Sequence, residues 1–181
     1  MKLAGLMSRS RPELPGLVGI ARVDRRTENL LRRLKPGDIA VIDQVDLDRA
    51  TADALVAAQV KAVVNAAPSI SGRYPNLGPS ILVDAGITLV DRVGPEVMIT
   101  IKDGSRIRID GGEIFAGELK LAEGTAQDAD SVADALVEAK AGLSHQLEAF
   151  AANTTEFMQR ERQLLLDGDG VPEVEGELAN R

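Results

Sequence analysis

The segment from Thr125 to about Leu166 constrains the fold of this chain more than any other feature. It contains no proline and a single glycine, Gly142, and apolar residues recur along it in alternating steps of three and four. This spacing is typical of one face of an α-helix. A helix of about 40 residues extends roughly 60 Å at 1.5 Å per residue. A small domain cannot cover the whole apolar face of such a helix.

The apolar stripe of this helix predicts a homodimer. The candidate dimer residues are Leu136, Leu143, Leu147, Phe150 and Phe157. Two successive steps of four around Leu143 resemble a stutter in a coiled coil. In the alternative, the helix breaks at Gly142 and folds back, so that it buries the stripe within its own chain. At the start of the segment, Thr125 and Asp128 resemble a capping box.

The region before the helix predicts a mixed α/β fold. Apolar runs predict strands at residues 17–23, 38–42, 61–65 and 87–90, with helices at 27–34, 48–59 and 79–85. After Gly94-Pro95, alternating runs at 98–101 and 106–109 around Asp103-Gly104 predict a hairpin, and strands follow at 113–116 and 118–121. An α/β part followed by an antiparallel part indicates a mixed fold.

Composition and charge divide the chain into four parts. A basic arm at residues 1–16 precedes an α/β domain at 17–122, a long helix at 125–166 and an acidic linker at 167–181. The net charge of −7 argues against nucleic-acid binding. No apolar run approaches the roughly 20 residues of a membrane span. The chain has no cysteine, which fits a reducing, cytoplasmic environment.

The loop from Asn65 to Gly78 is the candidate site, because specialised loops on rigid strands carry most binding residues. Its candidate binding residues are Ser69, Ser71, Gly72, Arg73, Tyr74 and Asn76. One interpretation is a structural or partner-binding loop. The alternative is a phosphate site, in which Arg73 and the Ser71–Gly72 amides hold the anion. The loop lacks the Gly-Lys-Ser/Thr ending of a Walker loop.

Nothing in the sequence predicts an enzyme, a cofactor or a metal. His145 is the only histidine, and it lies in the middle of the long helix. The sequence therefore does not predict a catalytic Ser-His-Asp site with a histidine general base. The acids Asp43, Asp46, Asp48 and Asp53 surround a predicted helix start. We interpret Asp46 and Asp48 as helix caps, with a divalent cation site as the alternative.

Residues 36–120 resemble the swivelling β/β/α phosphohistidine domain of phosphoenolpyruvate-utilising enzymes. The resemblance lies in the order of Pro36-Gly37-Asp38-Ile39, a helix, Val63-Val64, a glycine-containing loop, a short helix and Gly86-Ile87. That family carries a Ser-His pair before the short helix, at the position of Asn76 and Leu77 here. The resemblance therefore implies the scaffold without its phosphoryl-transfer chemistry.

A second resemblance covers nearly the whole chain. The stretches Gly16–Asp24, Lys35–Ile39, Ser71–Pro79 and Leu147–Thr154 resemble the SteA family of actinobacterial cytokinetic-ring proteins. That family continues into a thiamine pyrophosphokinase-like domain and a hydrophobic C-terminal segment. The resemblance implies that this chain is an N-terminal fragment ending in the linker after Pro172. Any nucleotide site would then belong to the further domain.

The SteA resemblance implies a role in cell division. Family members act at the septum with a membrane partner, SteB, and influence cell separation through control of peptidoglycan hydrolases. It implies a non-enzymatic module at the cytoplasmic side of the septum that acts through homodimerisation and partner binding. Membrane association would come from the part beyond these residues.

Overall fold

The computed structural model describes residues 14–167, which form a mixed α/β domain and one long helix. The strands are β1 (Leu17–Val23), β2 (Ile39–Ile42), β3 (Ala62–Asn65), β4 (Thr88–Asp91), β5 (Arg106–Asp110), β6 (Glu113–Ala116), β7 (Leu119–Glu123) and β8 (Thr125–Gln127). The helices are α1 (Thr27–Arg33), α2 (Arg49–Ala57), α3 (Gly78–Asp84), α4 (Val97–Thr100) and α5 (Ala129–Asp167). The predicted arm at 1–16 and linker at 167–181 lie almost wholly outside the described residues.

One mixed sheet organises the domain, and the predicted α/β class is confirmed. Its strand order is β7-β6-β5-β1-β2-β3-β4-β8. Strands β1 to β4 run parallel to one another. On the β1 side, β5, β6 and β7 extend the sheet by antiparallel pairing, and on the other side β8 pairs antiparallel with β4. The helices α1, α2 and α3 connect successive parallel strands, because parallel neighbours need a crossover.

The sheet curls until its two outer strands meet. Only Gly124 separates β7 from β8, so a single bent segment occupies both ends of the strand order. The Gly124 amide donates to the Gly112 carbonyl oxygen at 2.8 Å. A Cβ atom at Gly112 would overlap the carbonyl oxygen of Gly124. Glycine at this position therefore permits the bend that closes the sheet.

Both faces of the parallel strands are buried. On one face, α1 to α3 pack Leu30, Leu55 and Leu82 against the strands. On the other face, α4 and the antiparallel strands contribute a second core, which includes Ile101 and Ile107. Residues of β2, β3 and β4 alternate between the two cores, as expected when a sheet is covered on both sides.

Two local predictions are wrong. Residues 97–100 form the short helix α4 and not the first strand of a hairpin. Val97, Met98 and Ile101 are buried while Ile99 is exposed, and one helical turn produces that spacing. Thr125 belongs to β8, where it pairs with Asp91. The helix begins later, with reciprocal bonds of 2.8 Å between Asp128 and Ser131.

Helix α5 is continuous through Gly142, so the fold-back alternative is wrong. Val132 and Ala139 are buried against Ile70 of the loop that follows β3. From Ser144 to Leu165 every side chain is exposed. We call residues 144–165 the free half of α5. In the described part of the chain, no helix is both long enough and apolar enough to cross a membrane.

Candidate partner-binding loop

The candidate site lies where the parallel strands β2, β3 and β4 end. The loop from Asn65 to Gly78 follows β3, and Asp46 and Asp91 lie on either side of it, after β2 and at the end of β4. Carboxyl ends of parallel strands meet at one edge of a sheet, which is the usual binding edge of α/β folds. The two aspartates hold the loop from both sides.

Asp46 holds the exposed end of the loop. Its Oδ1 accepts from the Ser71 amide at 2.8 Å and from Asn76 Nδ2 at 2.9 Å, and its Oδ2 accepts from Ser71 Oγ at 2.9 Å. The Asp46 backbone has φ of 58°, a left-handed conformation that is uncommon for a residue other than glycine. Strained backbone of this kind concentrates at functional sites. Asp46 is therefore not the helix cap that we predict from the sequence.

Asp91 holds the buried end of the loop. Its Oδ1 accepts from the Ser69 amide at 3.0 Å and from Ser69 Oγ at 2.8 Å. Asn65 Nδ2 donates to the same Ser69 Oγ at 2.7 Å. Burial raises the pKa of the Asp91 carboxyl, although the bonds from Ser69 act in the opposite direction. Ser69 is fully buried, so it supports the loop and does not belong to its surface.

The exposed part of the loop is small. Gly72, Arg73, Tyr74 and Leu77 are exposed, and we call these four residues the loop tip. Tyr74 and Leu77 each expose nearly half of their surface, 46% and 49%. Val45 is 55% exposed and directly precedes Asp46. The tip therefore presents one cation and two large apolar groups next to Ser71 and Asn76, which Asp46 holds by hydrogen bonds.

The same geometry gives no support to the phosphate alternative. The Ser71 amide and the Asn76 side chain, two donors expected to face an anion, both donate to Asp46. An anion in that position would lie beside a carboxylate, and like charges at such distances repel. Arg73 remains exposed at the surface.

The loop also contacts α5, which the sequence does not reveal. The Gly72 carbonyl oxygen lies so close to Gly142 that a Cβ atom there would be 2.6 Å from it. Arg92 Nη2 donates to the Ile70 carbonyl oxygen at 3.2 Å, next to this contact. The one sequence signal for it is a glycine within an otherwise good helix.

The predicted dimer residues separate into two groups. Leu136 packs with Val132 and Ala139 inside its own chain, and Leu143 is half-buried. Leu147, Phe150 and Phe157 are 58%, 69% and 60% exposed. Only this second group is available to another molecule.

The remaining titratable candidates form no reactive cluster. Asp48 caps α2 by accepting from the Thr51 amide at 2.8 Å. The side-chain hydroxyl of Thr51, and then its amide, hold the pKa of the Asp48 carboxyl below its ordinary value. Asp53 pairs with Arg49 at 3.9 Å, and His145 is exposed on α5. Within residues 14–167, no three His, Cys, Asp or Glu side chains are grouped so that they could hold a metal ion.

The sequence matches no protein-family model, and no curated protein is significantly similar to it.

Proposed function

We propose that this chain is a non-enzymatic cell-division module of the SteA type, which acts by homodimerisation through α5 and by partner binding through the loop tip. The observation that carries the proposal is the free half of α5. Leu147, Phe150 and Phe157 lie on one face of it, and each exposes more than half of its surface. Exposed apolar stripes of this size mark interaction sites.

The swivelling β/β/α scaffold is the finer fold that we propose for the domain. Three features support it: a parallel sheet, helices on one face, and antiparallel strands packed over the other face. Asn76, which falls where that family has its Ser-His pair, is hydrogen-bonded to Asp46. The proposed scaffold therefore presents a surface in place of a phosphoryl carrier.

The proposed partner at the loop tip is a SteB-type membrane protein at the septum, through which the chain influences cell separation and the control of peptidoglycan hydrolases. Hydrogen bonds to Asp46 hold Ser71 and Asn76 on either side of Arg73 and Tyr74, which supports this role, because a preorganised loop loses little conformational entropy on binding. Tyrosine and arginine are also the residue types enriched among binding hot spots. Tyr74 and Arg73 supply both.

Light scattering tests the homodimer. The chain should be a dimer at micromolar concentration, and Leu147→Asp should shift it to monomer by placing a charge in the apolar stripe. Ala152→Asp is the matched control, since Ala152 lies on the opposite side of α5 from Phe150. A strict monomer at high micromolar concentration would contradict the proposal.

Co-purification tests the partner. A SteB-type membrane protein should retain the chain, and Tyr74→Ala should weaken retention at least several-fold. Leu119→Ala is the control, because Leu119 is also a large exposed apolar residue but lies in β7. Equal retention of the two variants would show that the loop tip does not contact this partner.

A further inference from the structure

The free half of α5 begins beside the loop tip. Gly142, where α5 touches Gly72, directly precedes Leu143, and the exposed residues start at Ser144. Helix α5 therefore leaves the domain at the same edge of the sheet that carries Arg73 and Tyr74. Whatever pairs with the free half also approaches the loop tip.

A charged residue occupies one of the core positions of the apolar stripe. In the free half, the stripe follows steps of three and four through Leu147, Phe150, Thr154, Phe157, Glu161 and Leu164. In coiled-coil terms, Leu147, Thr154 and Glu161 occupy one core position, and Phe150, Phe157 and Leu164 occupy the other. Glu161 is thus in a position that normally holds an apolar side chain.

Glu161 distinguishes the two orientations of a helix pair. In a parallel, in-register pair each core residue faces its own copy, so two Glu161 carboxylates would meet inside the interface. Buried like charges without a partner are costly. In an antiparallel pair the two core positions alternate, and in the register that pairs all six stripe residues of both copies Glu161 faces Phe150 of the second copy. The two Glu161 side chains are then about 16 Å apart along the axis, so they repel each other far less than two carboxylates in direct contact.

From this geometry we propose that two copies pair antiparallel through the free halves of α5, and that the end of each α5 reaches the loop tip of the other copy. The proposal rests on the homodimer proposed above and adds its orientation. Leu147 lies level with the second copy's Leu164, and Thr154 with its Phe157. Continuing the same register brings the second copy's Asp167 level with Ser144, two residues beyond the Gly72–Gly142 contact.

Charge complementarity supports this arrangement. Arg73 is an exposed cation in the loop tip, and the sequence of α5 ends on an acidic residue, Asp167. Opposite charges that meet across an interface fix its register and orientation. The loop tip of one copy and the helix end of the other therefore form a composite surface that neither copy has alone.

Single cysteines test the orientation, since the native chain has none. Leu147→Cys and Leu164→Cys should each form little disulfide alone and should cross-link to each other when mixed. Thr154→Cys lies near the symmetry axis, so it should cross-link to itself and confirms that oxidation works. Efficient self-cross-linking of both Leu147→Cys and Leu164→Cys would overturn the antiparallel orientation.

Light scattering on the reduced variants separates the two proposals. A monomer overturns the homodimer itself, whereas a dimer with self-cross-linked Leu147→Cys overturns only its orientation. Arg73→Glu tests the contact with the loop tip and should raise the dimer Kd about 3- to 10-fold. Arg106→Glu, an exposed charge change on β5, should leave the Kd unchanged. Equal Kd values for these two variants would overturn the contact between the loop tip and the helix end.

Discussion

At the scale of single residues, two aspartates determine what the loop after β3 can do. Asp46 holds Ser71 and Asn76, and Asp91 holds Ser69. Each carboxylate reaches the loop from a neighbouring strand end. The sequence shows Asp46 next to a helix start, where capping is the usual role. Strand pairing brings the loop after β3 next to Asp46, so the carboxylate accepts hydrogen bonds from Ser71 and Asn76 instead of from the first turn of the helix.

The raised pKa of Asp91 predicts a specific pH dependence. A carboxyl with a folded pKa above its unfolded value keeps its proton longer in the folded state. Its contribution to stability is therefore greatest at acidic pH and falls as pH rises from about 4 through the raised pKa. Asp91→Asn removes this dependence. Its unfolding free energy, measured in urea, should improve relative to the parent as pH rises from 4 to 7.

Asp103→Asn is the control of opposite sign. A bond from the Val23 amide holds the pKa of the Asp103 carboxyl below its ordinary value. Its stabilising contribution is present at neutral pH and is lost as pH falls through that lowered pKa. Asp103→Asn should therefore lose stability relative to the parent as pH rises through the acidic range. The same pH trend for both variants would contradict the assignment of Asp91.

At the scale of elements, α5 has two halves: the first packs against the domain and the second is exposed. Residues up to Leu143 pack on α3 and the loop after β3, with Val132 and Ala139 buried. The free half makes no comparable contact within its own chain, because its side chains from Ser144 to Leu165 are exposed. The sequence predicts one continuous apolar stripe. The position of the division depends on where the domain surface ends.

Gly142→Ala tests the contact between α5 and the loop. Alanine usually stabilises a helix interior by about 1 kcal/mol relative to glycine. Here its Cβ atom would lie 2.6 Å from the Gly72 carbonyl oxygen, so the loop or the helix must move. Overpacking of this kind costs about 1–3 kcal/mol. Urea unfolding should therefore show a net loss for Gly142→Ala.

Ser144→Ala provides the comparison on an exposed position two residues further along. It should gain a few tenths of a kcal/mol from helix propensity, because alanine is the better helix former. A gain of about 1 kcal/mol for Gly142→Ala would instead mean that Gly72 does not contact the helix.

At the scale of the whole molecule, the domain and the free half of α5 should be separable. A chain that ends at Leu143 keeps Val132, Ala139 and the Gly142 contact. We expect it to fold cooperatively, with an unfolding free energy within about 1 kcal/mol of that of the monomeric Leu147→Asp variant, since exposed positions contribute little in a monomer. Light scattering should find it monomeric.

A shorter chain that ends at Gln127 provides the contrast. It loses Val132 and Ala139 and exposes Ile70, which is buried against them. Removing these apolar contacts should cost about 3 kcal/mol in urea unfolding. If the chain ending at Leu143 were as unstable as this one, the free half would have contacts within its own chain.

The sequence alone determined the elements whose burial is periodic. Strands β1 to β4, helices α1 to α3 and the long α5 follow from apolar spacing, because that spacing reports which side of an element is buried. Periodicity over four residues cannot separate a strand from a helical turn, so the sequence predicts a strand where α4 forms. It likewise predicts that Thr125 begins the helix, although pairing with Asp91 keeps this residue in β8.

Only the tertiary structure decided the site. Neighbouring strands lie about 5 Å apart, so side chains distant in sequence meet at the strand ends. Asp46, Asp91 and Gly142 acquired their roles in this way, through partners 22 to 70 residues away in the chain. The spacing of apolar residues indicates which face of each element is buried. The hydrogen-bond partner of a polar group depends instead on which elements pack side by side.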